Sequence, residues 1–401
     1  MIALSEDVKK YLLNDSTYRE IIIRFPDATE GEIAEIGSDN IIADSFELTN
    51  SICDESDFCL GGCIVSQMSV KVIGIEQELN NKRINVFLRQ GYSMGYLYPS
   101  DDLFPSDDLY PTTRKGSIEV QLFSGTIDSS LRQKNRSVKE IIAFDDLYKA
   151  SQIYAYNWFT SLAQYSPKIS MYNLRVALVD KFINDYSYDI EFNGINDDKS
   201  LSLNLDYVKT VCDKKLTVLD LLQAYCELNA CFCVMDGTGK IKFIQLTESQ
   251  TEVIENYSEL TFEEFVTTPI NLIKFPYKND NVFAYGNTGV EKQSWYISDN
   301  ILSSCCEDIS EIIESFNINN FFGYVFTYRP FTADVFARWW IESGDRVLIK
   351  TGYNDTEVVE SFVFSRTLKG INGMRNSIQS QGTEFLGKDE INELQSSELE
   401  F

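Results

Sequence analysis

The side chains of this chain that could do chemistry are nine cysteines and sixty-one carboxylates, and there is no histidine. Without imidazole the commonest general base and metal ligand is gone, so Ser-His and Cys-His catalysis and histidine-bearing zinc sites are excluded by composition. Three cysteine groupings invite a metal reading: Cys59-Leu-Gly-Gly-Cys63, Cys231-Phe-Cys233 and the vicinal Cys305-Cys306. Cys231 and Cys233 would share one face of a strand, but no second close pair completes the spacing of a zinc ribbon. The count is odd and no secretory signal precedes it, so the thiols read as small buried hydrophobes of a reducing compartment. Two carboxylates suffice for glycoside hydrolysis, yet no acidic pair stands out from the rest. Asp101, Asp102, Asp107 and Asp108 could offer oxygens to calcium, but EF-hand spacing and a bidentate Glu are missing, and a solvated loop is the expectation. Trp339 and Trp340 could stack on a glycan, although adjacent tryptophans more often divide between core and interface. The sequence therefore assigns no catalytic, cofactor-binding or metal-ligating residue and no cofactor.

The elements that hold these groups are mainly strands. In Ile118–Ser130 the apolar Ile118, Val120 and Leu122 alternate with Glu119 and Gln121, the period of two that buries one face. A charged bend, Leu131–Arg136, separates it from a strand through Ser137–Tyr148, which runs into a helical stretch at 149–162 with Ala155, Trp158, Phe159 and Leu162 on one face. A short N-terminal helix at 6–13 precedes further strands at 20–25, 63–75 and 82–88, with Gly and Asp turns between them. The tandem Leu97-Tyr-Pro-Ser-Asp-Asp, Leu103-Phe-Pro-Ser-Asp-Asp, Leu109-Tyr-Pro111 places proline every six residues and predicts an extended inserted loop. Further on, Met171, Leu174, Leu178 and Phe182 mark a helix. Thr217 caps another, with Asp220 three residues on and a core face of Leu221, Leu222, Tyr225 and Leu228. That helix leads to a hairpin turned at Asp236-Gly-Thr-Gly239. Strands at 271–277, 281–289 and 293–300 and an acidic helix near Glu307–Phe316 follow, the latter with Ile309, Ile312, Ile313 and Phe316 as its stripe. Gly344-Asp345 fits a tight turn before a strand, and Arg366–Lys369 a closing strand. From Asn376 to Phe401 six acidic residues and one lysine give a net of −5, predicting a mobile or partner-completed tail.

An ordered run of segments resembles the bacteriophage tail-tip, or baseplate-hub, proteins, a family that includes the N-terminal part of siphophage tail-associated proteins. The segments are Ser45-Phe-Glu-Leu48 with Ser51–Gly61 and Ser69-Val-Lys-Val72; then Gly125–Ser130, Lys139–Tyr148 and Trp158–Leu162; then Leu221–Phe232 with Asp236–Phe243; and finally Trp339–Val347 with Ser365–Ile371. The likeness covers roughly residues 15–85 and 117–375 and omits the proline-punctuated loop. Many relatives continue into a fibre, a receptor-contacting region or a cell-wall hydrolase, and none of these is expected in this sequence. The resemblance implies an α+β, mainly β, multidomain hub with two ring-forming β-barrel domains and an α/β insert region. The corresponding divisions are residues 1–150 (first ring-forming barrel, with the inserted loop 97–111), 151–250 (helix-plus-hairpin α/β domain), 251–320 (β-rich connection), 321–375 (second ring-forming barrel) and 376–401 (acidic C-terminal tail).

It also implies a non-enzymatic structural protein of a virion tail tip. Such a protein would be a homotrimer whose ring closes the tail tube and joins it to the tip. Its partners would be a distal tail or tail tube protein, the tape measure protein and receptor-binding or tip/spike proteins. Two other functions stay open from the residues alone: a host receptor or glycan-binding tail module, and a carboxylate-based cell-wall hydrolase. The totals set bounds on all three. At 401 residues, 44% of them hydrophobic, two to four domains are expected. No apolar run approaches the roughly 20 residues of a bilayer span, and the start lacks the layout of a signal peptide, so synthesis and assembly in a host bacterial cytoplasm without membrane insertion are expected. Thirty-five basic residues leave a net charge of −26, which repels phosphate and fits a duct through which DNA passes without stable binding.

Overall fold

A computed structural model describes residues 2, 4–13, 18–54, 58–94, 114–132, 137–183, 188–190, 197–246, 251–268, 272–278, 281–286, 294–296, 300–314, 327–351 and 358–384. The chain is mainly β and multidomain. Its first part carries α1 (Glu6–Leu12), β1 (Arg19–Arg24), β2 (Glu35–Ile36), β3 (Glu47–Ser51), β4 (Gln67–Ile73), β5 (Arg83–Met94), β6 (Arg114–Arg132) and β7 (Val138–Phe144). The middle part is α2 (Leu147–Gln152), α3 (Tyr156–Tyr165), β8 (Lys168–Ser170), α4 (Met171–Asp180), β9 (Asp189–Ile190), β10 (Ser200–Ser202), α5 (Leu205–Val211), α6 (Val218–Leu228), β11 (Phe232–Met235) and β12 (Ile241–Ile244). After it come β13 (Thr251–Ile254), β14 (Glu259–Phe262), β15 (Leu272–Tyr277), β16 (Asn281–Gly286), β17 (Ser294–Tyr296), α7 (Ile301–Ser304) and α8 (Ser310–Glu314). The last part is β18 (Phe331–Phe336), β19 (Arg346–Lys350), β20 (Val358–Phe362), β21 (Ser365–Lys369) and β22 (Arg375–Ser380).

Ten strands from the two ends of the chain, with β14 added at one edge, make one sheet in the order β14-β18-β22-β21-β3-β4-β7-β6-β5-β1-β2, and every neighbouring pair is antiparallel. Alternation decides its faces. On β4, Met68, Val70 and Val72 are buried and lie opposite Ala143, Ile141 and Lys139 of β7. Lys139 is buried among apolar neighbours because its ammonium donates to the Glu76 carbonyl at 3.2 Å and to that of Gln77. The join between the two ends is the pairing of β21 with β3, with Leu368 opposite Leu48 and Thr367 opposite Thr49. A single core runs under both halves and contains Ile23, Val86 and Ile141 together with Val335, Leu368 and Ile378.

A second core fills the middle part, where α6 is buried along most of its length. Thr217 and Asp220 form the reciprocal capping box its sequence predicts: the Thr217 hydroxyl accepts from Asp220 N at 3.2 Å and Asp220 Oδ2 accepts from Thr217 N at 2.8 Å. The stripe Met171, Leu174, Leu178 and Phe182 is buried as read. Among the described residues no helix is long and apolar enough to cross a membrane.

Two expectations change. The helical stretch at 149–162 is two helices, α2 and α3, because 153–155 hydrogen-bonds sideways to the α6 entry. Ala155 N donates to Leu216 O at 2.7 Å and Val218 N to Ile153 O at 3.0 Å, and both bonds compete with helix continuation. The start of the tail at Asn376 falls inside β22, which is held between β18 and β21 with Asn376, Ile378 and Ser380 buried. A strand of that composition carries one strong hydrophobe, so neighbours on both sides, not its own sequence, place it in the sheet. The prolines and acids of 97–111, Phe316 of the acidic helix, and the residues after Glu384 lie outside the described residues.

Candidate functional site

A dense set of buried polar side chains lies where α1, β5, β13 and the 337–345 turn meet. Strand β13 runs parallel to β19 and buries Glu252 and Ile254 while Thr251 and Val253 face out. Glu252 is 5% exposed and its two oxygens are fully engaged. Lys9 Nζ donates to Oε2 at 2.6 Å, Arg338 Nη1 to Oε1 at 2.7 Å and Trp340 Nε1 to Oε1 at 3.1 Å. A buried carboxylate survives only with such compensation. Trp339 and Trp340 are both fully buried and cross edge to face at 5.6 Å and 81°. Trp339 Nε1 donates to Gln90 Oε1 at 2.8 Å, and Gln90 Nε2 donates to Leu12 O at 2.8 Å. Neither tryptophan presents a face to a glycan.

The same turn is pinned from below. The buried Arg366 donates from Nε to Asn50 Oδ1 at 3.1 Å and from Nη1 to the carbonyls of Trp339, at 3.0 Å, and Ile341. Asn376 Nδ2 donates to Arg338 O at 3.0 Å and to Ile341 O at 3.3 Å. This knot ties the N-terminal helix, the first strands of the large sheet and its last strands together. Apart from the buried Asn376 Oδ1, which has no hydrogen-bond partner, these polar groups are committed to one another, which is the chemistry of a rigid joint and not of a reacting centre.

Among the described residues the other buried carboxylates are also engaged. Asp145 accepts from Ser66 N at 2.8 Å and from Leu147 N at 3.0 Å, and burial pushes its carboxyl up to about 7. Asp146 takes Arg83 Nη1 at 3.0 Å and Lys149 Nζ at 2.6 Å. Burial likewise lifts Asp345 to about 6, while its Oδ2 accepts from Glu342 N at 2.7 Å. On the outer face of β2, β1, β5 and β6 the charges alternate as Glu35, Arg24, Glu119, Arg89 and Glu20, with N···O distances between 2.5 and 2.9 Å. Hydrogen bonds from Arg24 and Arg89 hold Glu119 below the usual carboxylate range. Two surface grooves, of about 310 and 430 Å³, are lined by Phe262, Glu263 and Pro330 and by Arg19, Phe336 and Asn372 among others. Neither brings two carboxylates together, as glycoside hydrolysis requires.

The turn Asp236–Gly239 positions the middle part on the sheet. Asp236 Oδ1 accepts from Thr238 N and Lys240 N, both at 2.9 Å, closing the turn. A Cβ on Gly237 would lie 2.3 Å from Gln121 O of β6, so only glycine lets the two backbones meet.

All nine cysteines are free thiols, eight of them buried. Cys63 and Cys226 bring their sulfurs to 3.7 Å, and so do Cys212 and Cys305. Among the described residues no three Cys, Asp or Glu side chains converge as a metal site. Sequence reasoning passed over Glu252, Gln90 and Arg366. Pattern alone leaves open whether Glu252 with Ile254 or Thr251 with Val253 faces inward, and the distant Lys9, Arg338 and Trp340 are what make the carboxylate acceptable inside.

No protein-family model matches the chain, and no curated protein matches it significantly in sequence. Solved structures match in fold. A tail protein from Neisseria meningitidis MC58 is 8% identical, superposes with a TM-score of 0.50, and is covered over 96% of its length by 90% of this chain. The 43 kDa tail protein of prophage MuSo2 from Shewanella oneidensis is 9% identical with a TM-score of 0.47, over 97% of its length and 90% of this chain.

Proposed function

We propose that this chain is a structural tail-tip (baseplate) hub protein of a bacteriophage or phage-derived particle. Three copies form a ring that closes the tail tube, joins it to the tip and forms part of the DNA exit channel. The observation that carries the reading is the fold shared with the Neisseria tail protein over nearly the whole of both chains, set beside the ordered hub-like segments of the sequence. The sheet supports it physically. Its end strands, β14 and β2, each pair with one neighbour among the described residues, and a closed ring would satisfy their other edges by pairing between subunits. The half around β1–β7 and the half around β18, β21 and β22 supply the two ring-forming units, joined through the pairing of β21 with β3. Carboxylates spent on caps, ion pairs and the Glu252 knot support a non-enzymatic role. A net charge of −26 suits a duct that repels phosphate. The ring sits at the virion tail tip between a distal tail or tail tube protein, the tape measure protein and the receptor-binding or tip/spike proteins.

Light scattering at high protein concentration together with imaging of particles tests the reading. A threefold ring at the tail tip, and no retention of duplex DNA in a gel at moderate salt, are the expected results. Only monomers or twofold dimers in both measurements, or tight DNA binding, overturn it.

A further inference from the structure

We infer that Cys212 and Cys305 are a site of covalent modification: a thiol pair placed to close into a disulfide that staples α5 to the end of α7. The two residues are 93 positions apart in sequence, yet their sulfurs are 3.7 Å from one another. Each caps the C-terminal end of its helix, Cys212 for α5 and Cys305 for α7. The backbone around Cys305 is already clamped to the segment that leads into α5. Asn204 N, at the start of α5, donates to Cys305 O at 2.8 Å, Leu203 bridges to Cys306, and Glu307 N donates to Ser202 O at 2.8 Å. Closure to a disulfide of about 2.0 Å asks the sulfurs to approach by only about 1.7 Å from their separation of 3.7 Å.

The chemistry is unequal between the two thiols in the direction the reaction needs. Cys212 lies at the edge of the core, 9% exposed, whereas Cys305 is sealed. A hydrogen bond from Cys305 holds the Cys212 thiol below its usual range, and the thiolate is the attacking species. With a small-molecule disulfide as oxidant, the Cys212 thiolate attacks one of its sulfurs and expels the other as a thiolate. Cys305 then loses its proton to that leaving thiolate, attacks the Cys212 sulfur of the mixed disulfide and expels the second small thiol. Two protein thiols are oxidised and one external disulfide is reduced.

The other close pair, Cys63 and Cys226, is an internal comparison. Both are sealed in the core and burial raises both thiols. Cys233 is lowered by hydrogen bonds from those two, but it shares their sealed cluster and gives an oxidant no thiolate to reach. The site fits a particle assembled under reducing conditions and released into an oxidising medium. That timing rests on the proposed function, and the thiol chemistry of the purified chain does not.

The experiment treats the native full-length protein with oxidised glutathione, then blocks remaining thiols and maps peptides by mass. The expected result is one crosslink, Cys212 to Cys305, leaving seven of the nine thiols. Reversal by dithiothreitol, and a melting temperature higher by roughly 5 °C in the oxidised protein, follow from closing so long a loop. Cys212→Ser should show no crosslink and no shift, and the wild-type map stands even if that variant folds poorly. Nine thiols left in folded protein, or crosslinking at Cys63 and Cys226 instead, overturn the inference.

Discussion

Removing the Glu252 carboxylate is the sharpest test of the polar knot that joins the two ends of the chain. In Glu252→Ala, Lys9 and Arg338 lose a carboxylate that meets them at 2.6 and 2.7 Å, and Trp340 Nε1 loses its acceptor. All three charged side chains are at most 10% exposed, so water cannot simply replace the missing oxygens. At an effective dielectric of about 20, each ion contact is worth roughly 6 kcal/mol before desolvation. Desolvation cancels most of that while the knot is complete, but it remains in full once the anion is gone. The expected loss is therefore about 3–5 kcal/mol, the usual cost of leaving buried charge uncompensated. Glu252→Gln keeps an acceptor for Trp340 and should lose less, about 2 kcal/mol. Urea unfolding followed by tryptophan fluorescence reads this core directly, because Trp339 and Trp340 are two of the four tryptophans. The double variant Lys9→Met with Glu252→Gln should recover part of the loss by removing one of the two cations that faced the carboxylate. Glu252→Ala within about 0.5 kcal/mol of wild type, or no recovery in the double variant, would refute the account of the knot.

Two further outcomes are expected. Replacing 97–111 by a short Gly-Ser linker should change stability by about 1 kcal/mol or less, because Met94 and Arg114 already face each other across the β5–β6 ladder and hold the loop ends together; collapse of the fold in thermal denaturation would place the loop in a core. Asp145 is raised to about 7 by burial, so its contribution to stability is fully present below about pH 4, the unfolded carboxylate value, and is lost as pH rises through about 7. Asp145→Asn should consequently gain on wild type in melting temperature between about pH 5 and 8, whatever its offset at pH 5. Asp345 titrates in both proteins and cancels in that difference, and parallel melting curves across the range would count against a raised Asp145.

Much of the local structure was written in short-range pattern. The alternation of Met68, Val70 and Val72 gave β4, the Thr217-to-Asp220 spacing gave the cap of α6, and Asp236-Gly-Thr-Gly239 gave the hairpin turn, because period and capping are decided by neighbours a few residues away. The absence of histidine removed whole classes of catalysis before any fold was known. What pattern could not decide was every choice made between distant segments. The pairing of β21 with β3, the placing of β22 in the sheet although Asn376 begins an acidic, weakly apolar stretch, and the break between α2 and α3 all depend on hydrogen bonds to partners far off in sequence. Glu252 is the plainest case: its strand reads equally well with Val253 inside, and only Lys9, Arg338 and Trp340, brought together from three other places in the chain, make the buried carboxylate the lower-energy arrangement.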